Sequence, residues 1–226
     1  MRDKRKLTGI PDGVIGRLPV YYRYLEELDR NDVKRISSAQ LGEALEITAA
    51  QIRSDFSYFG SFGQQGYGYR VDELKKQIGA ILGLSREYRM VLIGAGNIGR
   101  ALANYQNFAR RGFKIVAIFD SNPLLEGNYL AGCVIQPVSK LESYLKENEI
   151  DIGIIATPYE YRQELCDFLV DNGVKGIWNF SPIHLNVPEH VVVEHTHLTD
   201  NLLQLSFRLN ENALISGGFD EDSQKE

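Results

Sequence analysis

The stretch VLIGAGNIGRAL, residues 91–102, restricts the fold of this chain more than any other. Three glycines, at 94, 96 and 99, stand between an apolar run ending at Ile93 and a stretch of helical periodicity reaching Leu102. A strand that turns at once into a helix needs one residue free to take a tight turn. It needs a second with no side chain where backbone meets ligand, and a third where helix and strand pack closely. Gly94, Gly96 and Gly99 suit those tasks in that order, with Ala95, Asn97 and Ile98 completing the turn. The free amides and partial positive charge of the new helix suit a pyrophosphate. The next apolar run, 114–119, ends in Asp120, 21 positions after Gly99. A carboxylate there has two readings. It accepts hydrogen bonds from an adenine ribose and repels a 2'-phosphate, favouring NAD(H) over NADP(H), or it only caps the following turn.

Two further apolar runs, DIGIIAT and GVKGIWNF, alternate with amphipathic stretches at 98–110, 138–147 and 159–172. Short apolar runs separated by helices specify a parallel sheet covered on both faces. Ala156, Thr157 and Pro158 then lie at the carboxyl edge of that sheet, beside the nicotinamide half of the crevice. Residues 85–197 read as a Rossmann-like NAD(H)-binding domain. A dehydrogenase also needs a domain that holds substrate and presents an acid or base, yet only about 45 residues follow the fourth run. His184, His190, His195 and His197 fall there without the spacing of an acid–base pair or a metal site, so no catalytic or metal-ligating residue is assigned. Residues 198–216 read as a helix with Leu198, Leu202, Leu205 and Leu209 on one face and Leu203 and Phe207 beside it. So broad a stripe calls for cover, from a second copy of the chain or from its own sheet. The polar, acidic segment 217–226 is expected to be disordered.

The residues in front have a different rhythm. Val14, Leu18, Tyr21, Leu25 and Leu28 recur at helical spacing after Pro11. KRISSAQLGEALEI and TAAQIRSDFSYFG each open on a capping signature, Ser37 with Gln40 and Thr48 with Gln51. In that signature the hydroxyl takes the third helical amide while the glutamine reaches back to the cap amide. Little more than Glu46 and Ile47 separates the two, as in a helix-turn-helix. Ile52, Phe56 and Phe59 form one buried face of the second helix. Gln51, Arg53, Ser54 and Ser57 remain outside with Asp55, the face's one acid, a set rich in donors to phosphates and base edges. In GSFGQQGYGYRV glycines alternate with aromatics, which suits a two-stranded ribbon with Gln64 and Gln65 near its tip. Helix, helix-turn-helix and ribbon make a winged helix over residues 1–84, with 71–84 as a linking helix.

Charge agrees in sign: residues 1–70 carry 11 Lys and Arg against 9 Asp and Glu, while the whole chain is at −5. DNA binding competes here with a small helical domain whose polar face is merely solvated. At 43% hydrophobic residues the chain has ample material for packed cores. It contains no run of about 18 apolar residues, so no membrane partner is expected and the cytoplasm is the expected location. Cys133 and Cys166 stand apart and read as buried free thiols.

Taken in order, RISSAQLGEALEITAAQIRSDFSYFGSFGQQGYGY, GAGNIGRALANY, the FD pair at 119–120, IIATP, GVKGIWNFSP and VVVEHTHLTDNLLQLSF resemble the Rex family of bacterial redox-sensing transcriptional repressors. The resemblance covers residues 11–212. It implies a homodimer whose C-terminal helix is exchanged between subunits (a domain swap), inserting between the partner's winged helix and nucleotide domain. It implies binding of palindromic double-stranded operators with NAD+ or no ligand, and release on NADH. Carried over by position, Gln51 and Arg53 recognise DNA, with Lys34, Arg35, Ser38, Thr48 and Ser57 near them and Gln64 and Gln65 in the wing. Arg23 and Tyr105 match two members of the family's switch. His197 stands where an aspartate is common in the third, so charge attraction to Arg23 is missing unless the nearby Asp200 supplies it. Leu198 is expected beside the partner's nicotinamide. The different-class alternative is an NAD-dependent oxidoreductase with an N-terminal accessory domain. A third reading keeps the repressor and exchanges the ligand for coenzyme A, which Asp120 disfavours.

Overall fold

A computed structural model describes residues 9–60, 67–157, 162–180 and 184–215. Gln64, Gln65, Pro158 and the tail 217–226 lie outside them. The chain divides into two compact units, Met1–Arg86 and Glu87–Glu226.

In the first unit α1 (Asp12–Arg30) buries Val14, Leu18, Tyr21 and Leu25, the face set by the apolar spacing. Pro11 precedes its first turn, and the helix runs through Pro19 in its interior, where one backbone donor is missing. There follow β1 (Arg35–Ile36), α2 (Ser38–Leu45), α3 (Ala49–Ser57), β2 (Tyr69–Arg70) and α4 (Val71–Ile81). Ser37 caps α2 as expected: its side chain accepts from the Gln40 amide, and Gln40 reaches back to the Ser37 amide. The turn into α3 is tight. Glu46 adopts a left-handed φ of 56°, and a Cβ on Gly42 would stand 2.4 Å from the Ile47 carbonyl oxygen. Leu41, Ile52, Phe56, Val71, Leu74 and Ile78 close the core on α1, with the Phe56 ring edge-on to Tyr21 and Tyr69 at 5.3 Å.

Part of the glycine-rich stretch, residues 61–66, lies outside the described residues, so the expected ribbon is described on one side alone. Its described strand, β2, pairs antiparallel with β1, Arg35 opposite Arg70 and Ile36 opposite Tyr69. Gly68 makes the approach possible, since its φ is +69° and a Cβ there would lie 2.8 Å from the Ile36 oxygen. The strand is thereby tied to the segment that leads into the helix-turn-helix.

The second unit is a seven-stranded sheet. In chain order its elements are β3 (Tyr88–Ile93), α5 (Asn97–Ala103), α6 (Asn107–Arg110), β4 (Phe113–Asp120), β5 (Tyr129–Leu130), β6 (Cys133–Pro137), α7 (Leu141–Glu147), β7 (Ile152–Ile155), α8 (Arg162–Asp171), β8 (Gly176–Asn179), β9 (Val192–His195) and α9 (Asp200–Ile215). The order across the sheet is β5-β6-β4-β3-β7-β8-β9. Every pairing is parallel except β5 with β6. Central β3 alternates Val91 and Ile93 into one core with Met90 and Leu92 into the other, as a strand covered on both faces must. The chain leaves β3 to form β4 on one side and β7 on the other. That change of direction opens a crevice at the carboxyl ends, where the glycine turn sits.

Three features depart from the sequence reading. The stretch 98–110 is two helices, α5 ending where the Asn104 amide donates to the Arg100 carbonyl. The β5–β6 hairpin turns through Ala131 and Gly132, both at positive φ. β9 adds a seventh strand from residues of the 85–197 domain in which the sequence reading has no apolar run. In α9 every residue from Asp200 to Asn212 is exposed, so within one copy the helix does not pack on its own sheet.

Candidate functional site

The chain's own packing requires glycine at two of the three positions of the turn. Gly94 has φ +103°, and a Cβ there would stand 2.5 Å from the Ala156 oxygen and 3.1 Å from the Thr157 nitrogen. The turn is therefore pressed against the end of β7, which brings Gly94 together with Ala156 and Thr157. At Gly99 a Cβ would fall 1.8 Å from the Gly94 oxygen, so α5 can pack on β3 only with glycine there. Gly96 is different: a Cβ would meet nothing within 4 Å. Gly96 and Asn97 are exposed at the first turn of α5, Ile98 is half-buried, and Ala95 is buried beneath them. The space over Gly96 is where a ligand's phosphates could touch backbone.

Asp120, at the end of β4, already has partners. Its Oδ2 accepts from the Ala95 amide at 2.6 Å and its Oδ1 from the Asn122 amide at 2.7 Å. It caps a turn and ties down the glycine loop, and each oxygen keeps a further lone pair. On the opposite side of the crevice Arg162, buried at the start of α8, donates from Nε and from its second guanidinium nitrogen to the Thr157 carbonyl, at 2.8 and 2.5 Å. Thr157 Oγ1 is buried without a partner among the described residues. Nothing in the sequence marked Arg162, because an arginine opening a helix is ordinarily solvated. The glycine cradle, the anchored carboxylate and the unsatisfied hydroxyl line one edge, and together they fit a dinucleotide.

On α3 the expected outer face is only partly correct. Gln51, Arg53, Ser54 and Ser57 are exposed, but Asp55 is fully buried. Its carboxylate takes Arg17 Nε at 2.6 Å, the second Arg17 nitrogen at 2.8 Å and Tyr21 Oη at 2.6 Å, all from α1. Burial alone would push this carboxyl up. The hydrogen bonds from Arg17, Tyr21 and Gln51 and the charge of Arg17 outweigh burial and hold it below the ordinary carboxylate range. The hydrogen bonds that Arg17 donates to Asp55 raise its guanidinium, and burial, reinforced by the Asp55 anion, raises the Tyr21 phenol.

The second capping box is likewise half formed. Thr48 Oγ1 accepts from the Gln51 amide at 3.1 Å, yet the Gln51 side chain runs forward to Asp55 Oδ1, 2.7 Å away. The charge-assisted bond that Nε2 donates to the buried carboxylate is stronger than the neutral bond Oε1 would accept from the Thr48 amide. Other candidate DNA contacts also hold intramolecular partners: Arg53 bonds Ser38 Oγ at 3.0 Å, Arg35 the Tyr67 carbonyl at 3.0 Å, Ser57 the Ser54 carbonyl at 2.7 Å, and Lys34 pairs with Asp32.

The switch candidates fall in both units. Arg23 is exposed on α1. Tyr105 is half-exposed just past α5, its ring on Phe108 at 4.8 Å, and Phe108 in turn meets Trp178 at 5.5 Å. His197 lies on His195, ring centroids 6.2 Å apart and planes within 3°, and His195 on His184 at 5.1 Å. The sequence did not reveal that stack of three. Among the described residues no group of three or more His, Cys, Asp or Glu could hold a metal ion. With Asn179 Nδ2 donating to His195 Nδ1 at 3.1 Å, the ring proton sits on Nε2. Leu198, Leu202, Leu203, Leu205, Phe207 and Leu209 are all exposed. Cys166 is buried and Cys133 half-buried, both unbridged. Burial, with Asp167 nearby, pushes the Cys166 thiol up to about 11.

A winged helix joined to a doubly wound sheet with its glycine turn at the switch point defines a class: DNA-binding regulators with a dinucleotide-type ligand domain. Residues 9–57 match a family model described as "Putative DNA-binding protein N-terminus" and residues 85–183 one described as "CoA binding domain". The chain is 54% identical to the redox-sensing transcriptional repressor Rex of Clostridium tetani over 206 residues, 91% of this chain and 98% of that one. It is 54% identical to Rex of Clostridium perfringens over 207 residues, 92% and 98% of the two chains. Among solved structures it is similar to RSP, a Rex-family repressor, in complex with β-NADH (46% identity, TM-score 0.86, 93% and 98% coverage). It is also similar to RSP with β-NAD+ and operator DNA (49% identity, TM-score 0.86, 93% and 97% coverage). The chain belongs to the Rex family of redox-sensing transcriptional repressors. Its relatives bear the name of repressors, not of dehydrogenases, and the oxidoreductase alternative is not favoured.

Proposed function

We propose that this chain represses transcription in response to the NADH/NAD+ ratio, holding palindromic operators with NAD+ or no ligand and releasing them when NADH binds. The observation that carries the reading is similarity over nearly the whole chain to RSP, both with NADH and with NAD+ and operator DNA. In this reading residues 1–84 grip DNA, 85–197 hold NAD(H), and 198–216 join two copies by exchange of α9 in the cytoplasm. Gly94 to Gly99 cradle the pyrophosphate. Asp120 uses its remaining lone pairs for the adenine ribose while still holding the Ala95 amide, and the same charge disfavours NADPH. Coenzyme A, suggested by the second family model, carries a phosphate on its ribose and is disfavoured for the same reason. Ala156, Thr157 and Pro158, with Leu198 of the other copy, flank the nicotinamide.

DNA contacts fall to Gln51 and Arg53, supported by Lys34, Arg35, Ser38, Thr48 and Ser57 and by Gln64 and Gln65. Two copies place two α3 helices in successive major grooves about 34 Å apart. NADH acts by binding the DNA-incompetent arrangement more tightly, and DNA must then weaken NADH by the same factor. Arg23, Tyr105 and His197 couple the units. A neutral His197 supplies a hydrogen bond in place of charge attraction, a protonated one repels Arg23, and the nearby Asp200 is the anion that takes its place.

The test is operator binding at moderate salt while NADH, NAD+, NADPH and coenzyme A are titrated separately. Release by NADH at concentrations where NAD+ and NADPH leave the complex intact is the expected result. If no palindromic DNA binds under any condition the reading fails, and turnover of NADH with a small carbonyl substrate would support the oxidoreductase instead.

A further inference from the structure

Gln51 stands one turn before Asp55 on α3, and residues four apart share a helix face. Asp55 offers two oxygens with about four acceptor sites, and all are engaged: two by Arg17, one by Tyr21 and one by Gln51 Nε2. Held as an anion, this carboxylate can only accept. The amide of Gln51 must therefore turn its donor end inward, and it cannot exchange the places of oxygen and nitrogen as a free glutamine does. Oε1 and the second hydrogen on Nε2 remain for a partner.

We propose that Arg17, Tyr21 and Asp55 are positioning residues that fix the Gln51 amide so that it reads an adenine in each operator half-site. The inference rests on the reading of α3 as the recognition helix. Oε1 accepts from the adenine N6 amino group, and the Nε2 hydrogen not used by Asp55 donates to N7. Thymine and guanine, which present acceptors where Oε1 needs a donor, are rejected. Cytosine offers its amino group without the N7 acceptor and is second best. An unclamped glutamine could turn its amide over and satisfy an acceptor instead, so the clamp supplies selectivity more than attraction.

The experiment measures base preference at every operator position, by selection from a pool of palindromic duplexes with randomised half-sites. It uses the full-length protein, its Gln51→Ala, Asp55→Asn and Tyr21→Phe variants, and the Gln51→Ala/Asp55→Asn double variant. Wild type is expected to prefer adenine by about tenfold at one position per half-site. Gln51→Ala, an exposed change, abolishes that preference alone. Asp55→Asn offers Gln51 a donor in place of an acceptor and lets the amide turn, so the same preference falls below about twofold while the other positions keep theirs. Tyr21→Phe keeps its ring against Phe56 and lowers the preference by a smaller factor. In the double variant Asp55→Asn adds no further loss of selectivity to that of Gln51→Ala.

Uniformly weaker binding by Asp55→Asn with every preference intact would show that the cluster only supports the fold. That result overturns the proposal, as does an unchanged preference in Gln51→Ala. Should Asp55→Asn fail to fold, Tyr21→Phe with an undiminished adenine preference overturns it equally. Wild-type protein that selects no DNA at all refutes the operator reading itself, which is a separate outcome.

Discussion

The glycines at 96 and 99 are one turn apart and do opposite things. A methyl group at 99 collides with the Gly94 carbonyl oxygen, which is backbone and cannot step aside. Gly99→Ala is therefore expected to cost the second unit about 3 kcal/mol and to abolish NADH binding. A methyl group at 96 meets open space, so Gly96→Ala should leave stability within about 0.5 kcal/mol and lose only the ligand. Thermal melts with and without NADH separate the two. His195 makes a pH-dependent contribution. Burial, with the neighbouring His184 and His197, lowers it below its ordinary 6.5, and its acceptor nitrogen faces the Asn179 donor. The unfolded chain then takes up the proton first, so stability is full above the ordinary histidine range and is lost as pH falls through the lowered value. A melting temperature that drops between about pH 7 and pH 5, and drops less in His195→Gln, is the expected outcome. Individual residues were legible where one atom's absence decides the matter, as at Gly94 and Gly99. They were not where a distant partner decides. Asp55 looked like a solvated acid because Arg17 and Tyr21 lie 38 and 34 positions away.

Secondary elements showed the same division. Ser37 and Gln40 specify the start of α2 locally and were read correctly, and so were the apolar runs that became β3, β4, β7 and β8. The β1–β2 pair joins two-residue strands across the whole helix-turn-helix, and β9 is a four-residue edge strand, so neither leaves enough alternation to detect. The turn between α2 and α3 carries a correctable cost. Glu46 occupies a left-handed conformation that glycine adopts freely, and its negative charge sits at a helix C-terminus. Glu46→Gly is expected to raise the stability of the first unit by about 1 kcal/mol, measured by urea denaturation. A decrease would mean that the side chain has a function on this face.

For the molecule as a whole, α9 matters because its described side chains, from Asp200 to Asn212, are all exposed in one copy. Leu205→Asp and Leu209→Asp together are expected to turn the proposed dimer into monomer in sedimentation and to abolish operator binding, while each nucleotide domain still binds NADH. Leu198→Asp, beside the proposed nicotinamide position, should leave the dimer intact and weaken release of DNA by NADH. An unchanged response in a binding titration would remove Leu198 from the switch. The breadth of the leucine stripe was readable from periodicity, but its cover was not, because a second copy, the cover proposed above, adds no residues to the sequence that could announce it. The exposure of α9 also carries a genetic consequence. In the proposed dimer α9 joins the two copies and lies far along the chain from α3, so a substitution on the exposed face of α3 leaves pairing intact. Such a defective copy would consume a sound one in every mixed pair, and its gene would behave as a dominant allele.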